Sequence, residues 1–204
     1  MLHVSLAFSL LVAVLAAGGG CTLTPVASDA SADPSAEASI PEAPASLSAG
    51  AVERAVFEAA NEARQRLGRP ALAPDNALAD IARGHSTRMA TVDFFAHRDD
   101  LGQQPADRAR ADGYDYLRFG ENLFRGALWD SRATRRTALG EVSVTYNWHT
   151  PTTLADEVVE GWLASPSHRE NLLSPDYARM GIGVAMNETS EVFVTQNLSL
   201  PRGS

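Results

Sequence analysis

The stretch from Glu157 to Leu173, EVVEGWLASPSHRENLL, constrains this chain more than any other. Val158 and Trp162 are four apart, as are Val159 and Leu163, so its first half carries an apolar face at helical spacing. Ser165 stands before Pro166, and a residue before proline is pushed out of the helical region, so the first helix ends there. A second helix restarts at once. Its cap is either Ser165, with Pro166 at the first helical position, or Ser167, with Glu170 completing a capping box. Both readings put His168 in or beside the first turn, where the helix dipole disfavours a protonated ring. A neutral imidazole there is suited to ligate a metal or accept a proton. The plainer reading is a helix corner built by Ser, Pro and His.

The chain divides near residue 48. Residues 4–17, VSLAFSLLVAVLAA, are uncharged and apolar, and three glycines and the chain's one cysteine, Cys21, follow. The run is shorter than the roughly 20 residues of a membrane span. It reads as the apolar part of an export signal over residues 1–21. The small residues before Cys21 resemble a lipoprotein cleavage site, which makes Cys21 the lipid anchor. A plain cleaved signal and an uncleaved anchor are the other readings. Residues 22–47 are rich in Ala, Ser, Pro and acids without periodicity, so they read as a disordered tether. The folded domain is expected over 48–204.

A lone cysteine allows no internal disulfide, so an apolar core must hold the domain together. A domain of roughly 150 residues is large enough for that. The net charge of −8 argues against a nucleic-acid partner and against a polybasic membrane surface. Membrane contact is therefore expected only through the N-terminal anchor.

Within the domain, Val52, Val56, Ala60, Ala63 and Leu67 mark one face of a helix that Gly68 ends. A second helix starts near Asp75, with Leu78, Ala82, His85 and Met89 on one stripe. A histidine on such a stripe is read as a hydrogen-bonded core residue. A short helix is expected over 104–111, before Gly113. In TALGEVSVTYNW, Val142, Val144 and Tyr146 alternate and indicate a strand, with His149 in the loop beyond it and without an assigned role. Residues 181–187 and 191–200 read as two strands joined by a short polar turn. Helices lead and strands close the chain, which predicts an α+β or layered α/β/α domain.

Taken in order, NEARQRLGRPALAPDNALADIARGHSTRMA (61–90), FFAH (94–97), GENL (120–123), VVEGWLASPSHRENLL (158–173), GIGVA (181–185) and VTQNL (194–198) resemble the CAP superfamily, also called SCP or PR-1-like, in its prokaryotic form. The resemblance covers about residues 50–199. It implies a three-layer α/β/α sandwich with a central, largely antiparallel sheet. It also implies a cleft lined by two histidines and two acids, which in some members binds a divalent metal such as zinc. By motif these are His97, Glu121 and His168. Eukaryotic members carry the fourth residue three positions after the helix tryptophan, where this chain has Ser165; helical geometry decides which of Glu157 and Glu160, if either, faces the cleft in its place.

Two imidazoles and one carboxylate form a three-ligand set for zinc, with water in the fourth position. No G-x-S-x-G elbow exists and Cys21 lies outside the domain, so no serine or cysteine nucleophile is supported. The resemblance selects no reaction, because members bind sterols, lipids or other proteins. The expected function is a binding module for a small lipid-like ligand or an envelope component, exported and held at the outer face of the membrane or secreted. Metal-assisted hydrolysis is the alternative, and a purely structural role comes third.

Overall fold

The computed structural model describes residues 40–140 and 142–202. The export signal, Cys21 and the expected tether up to residue 39 lie outside the described residues.

Helix α1 (Ala49–Arg66) buries Val52, Val56, Ala60 and Ala63, and the chain leaves it through Gly68 at φ 74°. After the two-residue strand β1 (Ala73–Pro74), α2 (Asn76–Val92) opens on Asp75, whose carboxylate accepts from the Leu78 amide. It buries Leu78, Ala82, His85 and Met89, the stripe read from the sequence. Helix α3 (Pro105–Ala111), strand β2 (Tyr116–Ala127) and a ribbon of β3 (Trp129–Arg136) and β4 (Val142–Trp148) follow. Helices α4 (Pro151–Ala164) and α5 (Pro166–Leu173) break at Ser165, and strands β5 (Arg179–Met186) and β6 (Glu191–Pro201) close the domain. Of the two caps open for α5, Ser165 takes the position, with Pro166 first in the helix and no side-chain cap bond.

The main sheet runs β1-β5-β6-β2. Both pairings of β6 are antiparallel, and β1 lies parallel to β5, so the sheet is mixed and largely antiparallel. Alternation along β5 and β6 sends two kinds of side chain to two faces. Met180, Ile182, Val184, Val192, Val194 and Leu198 join Val56 of α1 and Leu154, Val158 and Trp162 of α4 in the main core. The opposite face carries Gly181, Gly183, Thr195 and Asn197, and α2 lies directly on it. A Cβ on Gly181 would drive into the backbone of Leu78 and Ala79, and one on Gly183 into that of Ala82 and Arg83. Ser86 uses the close approach to donate to the Gly183 carbonyl (2.9 Å) and to bond the Thr195 hydroxyl (2.8 Å). The α+β, three-layer architecture expected from the element order is therefore present.

One boundary differs from expectation. Leu47, assigned to the tether, is 3% exposed and sits in the main core with Ala43 packed beside it. The folded unit begins before Ser48, because an apolar side chain close to α1 gains more from burial than from solvent. GENL, given no element by the sequence, lies within β2, where pairing of Tyr116–Ala127 along β6 makes its backbone regular.

The glycine contact predicts opposite signs for two Gly→Ala changes. Gly183→Ala should cost about 3 kcal/mol, the upper part of the usual overpacking range, because backbone and not a flexible side chain must give way. Gly84→Ala, within α2 with nothing near its added Cβ, should stabilise by about 0.5–1 kcal/mol. Urea denaturation of both variants measures the difference.

Candidate functional site

Strand β2 places Glu121 at the floor of the site, with its side chain 2% exposed. A buried carboxylate requires partners. Arg108 of α3 donates from Nη2 to Glu121 Oε2 at 2.7 Å, and His97 Nδ1 stands 2.9 Å from Glu121 Oε1. Because the carboxylate accepts, His97 Nδ1 carries the proton, and the lone pair of a neutral ring then lies on Nε2. Arg108 also donates from Nη1 to the carbonyls of His97 (2.9 Å) and Gln103 (3.1 Å). One guanidinium thus neutralises the floor and holds the backbone of the histidine above it.

The segment before His97 is held from α2. His85 Nε2 bonds the Ala96 carbonyl at 3.0 Å, and the His85 ring meets Phe94 edge-on at 5.9 Å. Phe94 packs against Met89, Leu123 and Phe193, whereas Phe95 is 44% exposed, so one of the two phenylalanines anchors the loop. Asp99 turns the chain after His97 by accepting from the amides of Leu101 (3.0 Å) and Gln103 (2.8 Å).

His168 enters from α5 and is held through amides. Asn122 Nδ2 donates to the His168 carbonyl (3.0 Å) and to Gln196 Oε1 (2.8 Å). Asn171 donates to Asn122 Oδ1 (3.0 Å) and to the Glu121 carbonyl (3.2 Å). At the other end of α5, the fully buried Arg64 of α1 donates to the carbonyls of Leu172 (2.6 Å) and Ser174 (3.1 Å). The helix carrying His168 is therefore fastened to β2 and β6 on one side and to α1 on the other.

Burial lowers the pKa of His85, with Arg108 adding to the effect against the opposing charge of Glu121 and Asp99. Burial also lowers that of His168, and the nearby charge of His97 lowers it further. Both rings are favoured in the neutral form.

The arrangement brings Glu121 and His97 into contact, and Asn122, next to Glu121 on β2, holds the backbone carbonyl of His168. It does not form the expected three-ligand set: among the described residues no three His, Cys, Asp or Glu side chains are arranged to hold a metal. One oxygen of Glu121 accepts from His97 and the other from Arg108. Glu121 then acts behind the imidazole, fixing its tautomer and orientation as a carboxylate does behind a metal-binding histidine. Among the described residues neither Nε2 of His97 nor the ring of His168 has a hydrogen-bond partner.

The two acids held open for the fourth position have these surroundings. Glu157 pairs with His149, Oε2 to Nε2 at 3.1 Å, and Glu160 is exposed. His149, left without a role in the sequence reading, is thus a partner of α4. Reading the sequence missed Arg108, Asn122, Asn171 and Gln196 as positioning residues. The last three lie inside the quoted motifs, and the signal was there: an amide in a strand destined for burial must find a partner. Arg108 had no such signal.

Comparison with known proteins places this geometry in a wider group. The model of the CAP family, described as the cysteine-rich secretory protein family, matches residues 57–198. The uncharacterized protein YkwD of Bacillus subtilis is 30% identical over 141 residues, which are 69% of this chain and 44% of YkwD. The chain spans less than half the length of the curated relatives it matches. A crystal structure of an extracellular protein containing a SCP domain from Bacillus anthracis aligns with TM-score 0.55 at 26% identity, over 74% of this chain and 41% of that one. An outer surface protein of Borrelia burgdorferi shares the fold at TM-score 0.58 and 17% identity, over 76% of this chain and 97% of its own.

Removing Arg108 should leave Glu121 buried without its counter-charge. Arg108→Met is expected to lose about 3–5 kcal/mol of unfolding free energy, and Arg108→Lys to recover part of it, in urea titrations at pH 7.

The imidazoles of His85 and His168 set a pH dependence. Their folded pKa values lie below the unfolded value of about 6.5, so the unfolded state takes up protons first as pH falls. Their contribution is complete above about pH 6.5 and is lost as pH falls from there through the folded values. The melting temperature should decline between pH 7 and pH 5. His85→Gln, which keeps a donor for the Ala96 carbonyl, should flatten part of that decline.

Proposed function

The chain belongs to the CAP, or cysteine-rich secretory protein, family, and from that premise we propose that it is a binding module of the cell envelope whose cleft takes a divalent cation on His97 and His168. The observation that carries this reading is the engagement of Glu121. With its oxygens committed to His97 and Arg108, the groups left for a ligand are the Nε2 of His97, on a half-exposed side chain, and the ring of His168. Neutral imidazoles are metal donors, and zinc is the first candidate. A bound cation would offer open positions to a carbonyl or anionic group of a small lipid-like ligand or an envelope component.

Metal-assisted hydrolysis ranks second. A hydrolytic centre gains from a carboxylate free to act as general base, and Glu121 is already bonded to His97 and Arg108. Export, with attachment at the outer face through Cys21, completes the proposal, supported by the apolar run and the small residues before that cysteine. Among the described residues no helix is long and apolar enough to cross a membrane.

Zinc titration of thermal stability tests the cation. A site that binds only the folded state contributes about 2.7 kcal/mol at a free zinc concentration 100 times its Kd. The melting temperature should rise with zinc, and the rise should be absent in His97→Ala and in His168→Ala. It should also shrink as pH falls and protons compete for the imidazoles. An equal rise in either alanine variant would remove this pair of ligands.

A further inference from the structure

The β3–β4 ribbon stands apart from the main sheet as its own two-stranded sheet. Its base is tied down by Trp148, which packs against the core, and by the His149 amide donating to the Leu128 carbonyl. Beyond the base, every described residue of β3 after Trp129 is exposed. A two-stranded ribbon in water is marginal without something to pack on.

The ribbon's two faces differ in chemistry. On β4, Val142, Val144, Tyr146 and Trp148 share one face, and Ser143, Thr145 and Asn147 the other. The register sets Arg136 across from Val142, Thr134 from Val144 and Arg132 from Tyr146, so two arginines share the face of these apolar residues, while Arg135, across from Ser143, lies on the other face. Trp129, Tyr146 and Trp148 form a ladder of rings with centroids 5.5 and 5.6 Å apart. At the tip, the Gly140 amide closes a turn on the Thr137 carbonyl (3.0 Å), with Ala138 and Leu139 at the corner positions. Turn corners usually hold polar residues. Here Leu139 is 88% exposed and Val142 behind it 53%.

Charge singles out the same element. The chain carries −8, yet Arg132, Arg135 and Arg136 cluster within five residues. None of the three is in an ion pair among the described residues. Of the segment's two acids, Asp130 is held at the base by Ser131 and Asn147, and Glu141 lies outside the described residues.

We propose that this ribbon is a docking element for an anionic lipid surface. Leu139 and Val142 enter the interfacial layer, the arginines pair with lipid phosphates, and the aromatic ladder lies toward the domain. An apolar tip, basic flanks and aromatic residues are what an interface between headgroups and hydrocarbon selects. Long arginine side chains can lie along the apolar face while their charges reach the phosphates. An acidic polymer would satisfy the arginines and leave Leu139 in water, which is why lipid is favoured. This contact is additional to the N-terminal anchor and shares no residue with the His97 cleft.

The test uses the full chain with Cys21→Ser and a single new cysteine, labelled with a polarity-sensitive NBD dye. Ala138→Cys reports from the tip, and Glu58→Cys reports from α1 as the control. Vesicles of phosphatidylcholine and phosphatidylglycerol at 3:1 should shift the tip label to the blue and raise its emission several-fold. Pure phosphatidylcholine should leave it nearly unchanged. The response should be lost in Leu139→Asp and when Arg132, Arg135 and Arg136 all become Gln, and kept when all three become Lys. An equal response at positions 138 and 58, or an equal response to both vesicle types, overturns the proposal. So does an equal change on adding polyglutamate without lipid, which would make the partner an acidic polymer.

Discussion

The close seat of α2 on β5 is the constraint on which the rest of the domain depends. Gly181 and Gly183 leave no side chain on that face, so the helix backbone approaches as near as the strand allows. At that distance Ser86, Thr195 and Asn197, polar residues in a buried layer, find partners across the gap. Buried polar groups are tolerated only when satisfied, so the glycines and the polar layer need each other. The seat also sets where His85 stands, and His85 sets the Ala96 carbonyl one residue before His97. Two glycines in a strand thereby govern the position of an imidazole on a distant loop.

The site is then a matter of who occupies a buried carboxylate. Arg108 and His97 share Glu121, which turns an expected ligand into a support. The two histidines are held by different routes that meet at Glu121 and Asn122 on β2. His97 hangs on α2, α3 and β2, whereas His168 hangs on an amide chain through Asn122, Asn171 and Gln196 and on Arg64 at the far end of α5. Both histidines are held in place without a disulfide, in a chain whose one cysteine is Cys21. The ribbon is the reverse case: Leu139 and Val142 at its tip are exposed, and its arginines have no ion-pair partner among the described residues.

Neighbouring residues alone set the local features of the chain. The period of Val52, Val56, Ala60 and Ala63, the cap at Asp75, the break at Ser165-Pro166 and the alternation in β5 and β6 each arise from neighbours a few residues apart, so each was legible. The motif order likewise marked His97, Glu121 and His168 as a group. Only the tertiary structure decided what each of those residues does. Glu121 meets an arginine 13 residues away and a histidine 24 away, and Asn122 meets the His168 backbone 46 away. Glu157 was claimed by His149, a residue the sequence left idle. Leu47 joined the core although its neighbours read as tether. Periodicity reports which face of an element is buried, but the partner of a buried charge depends on how elements from distant parts of the chain cross, and that information has no local signature.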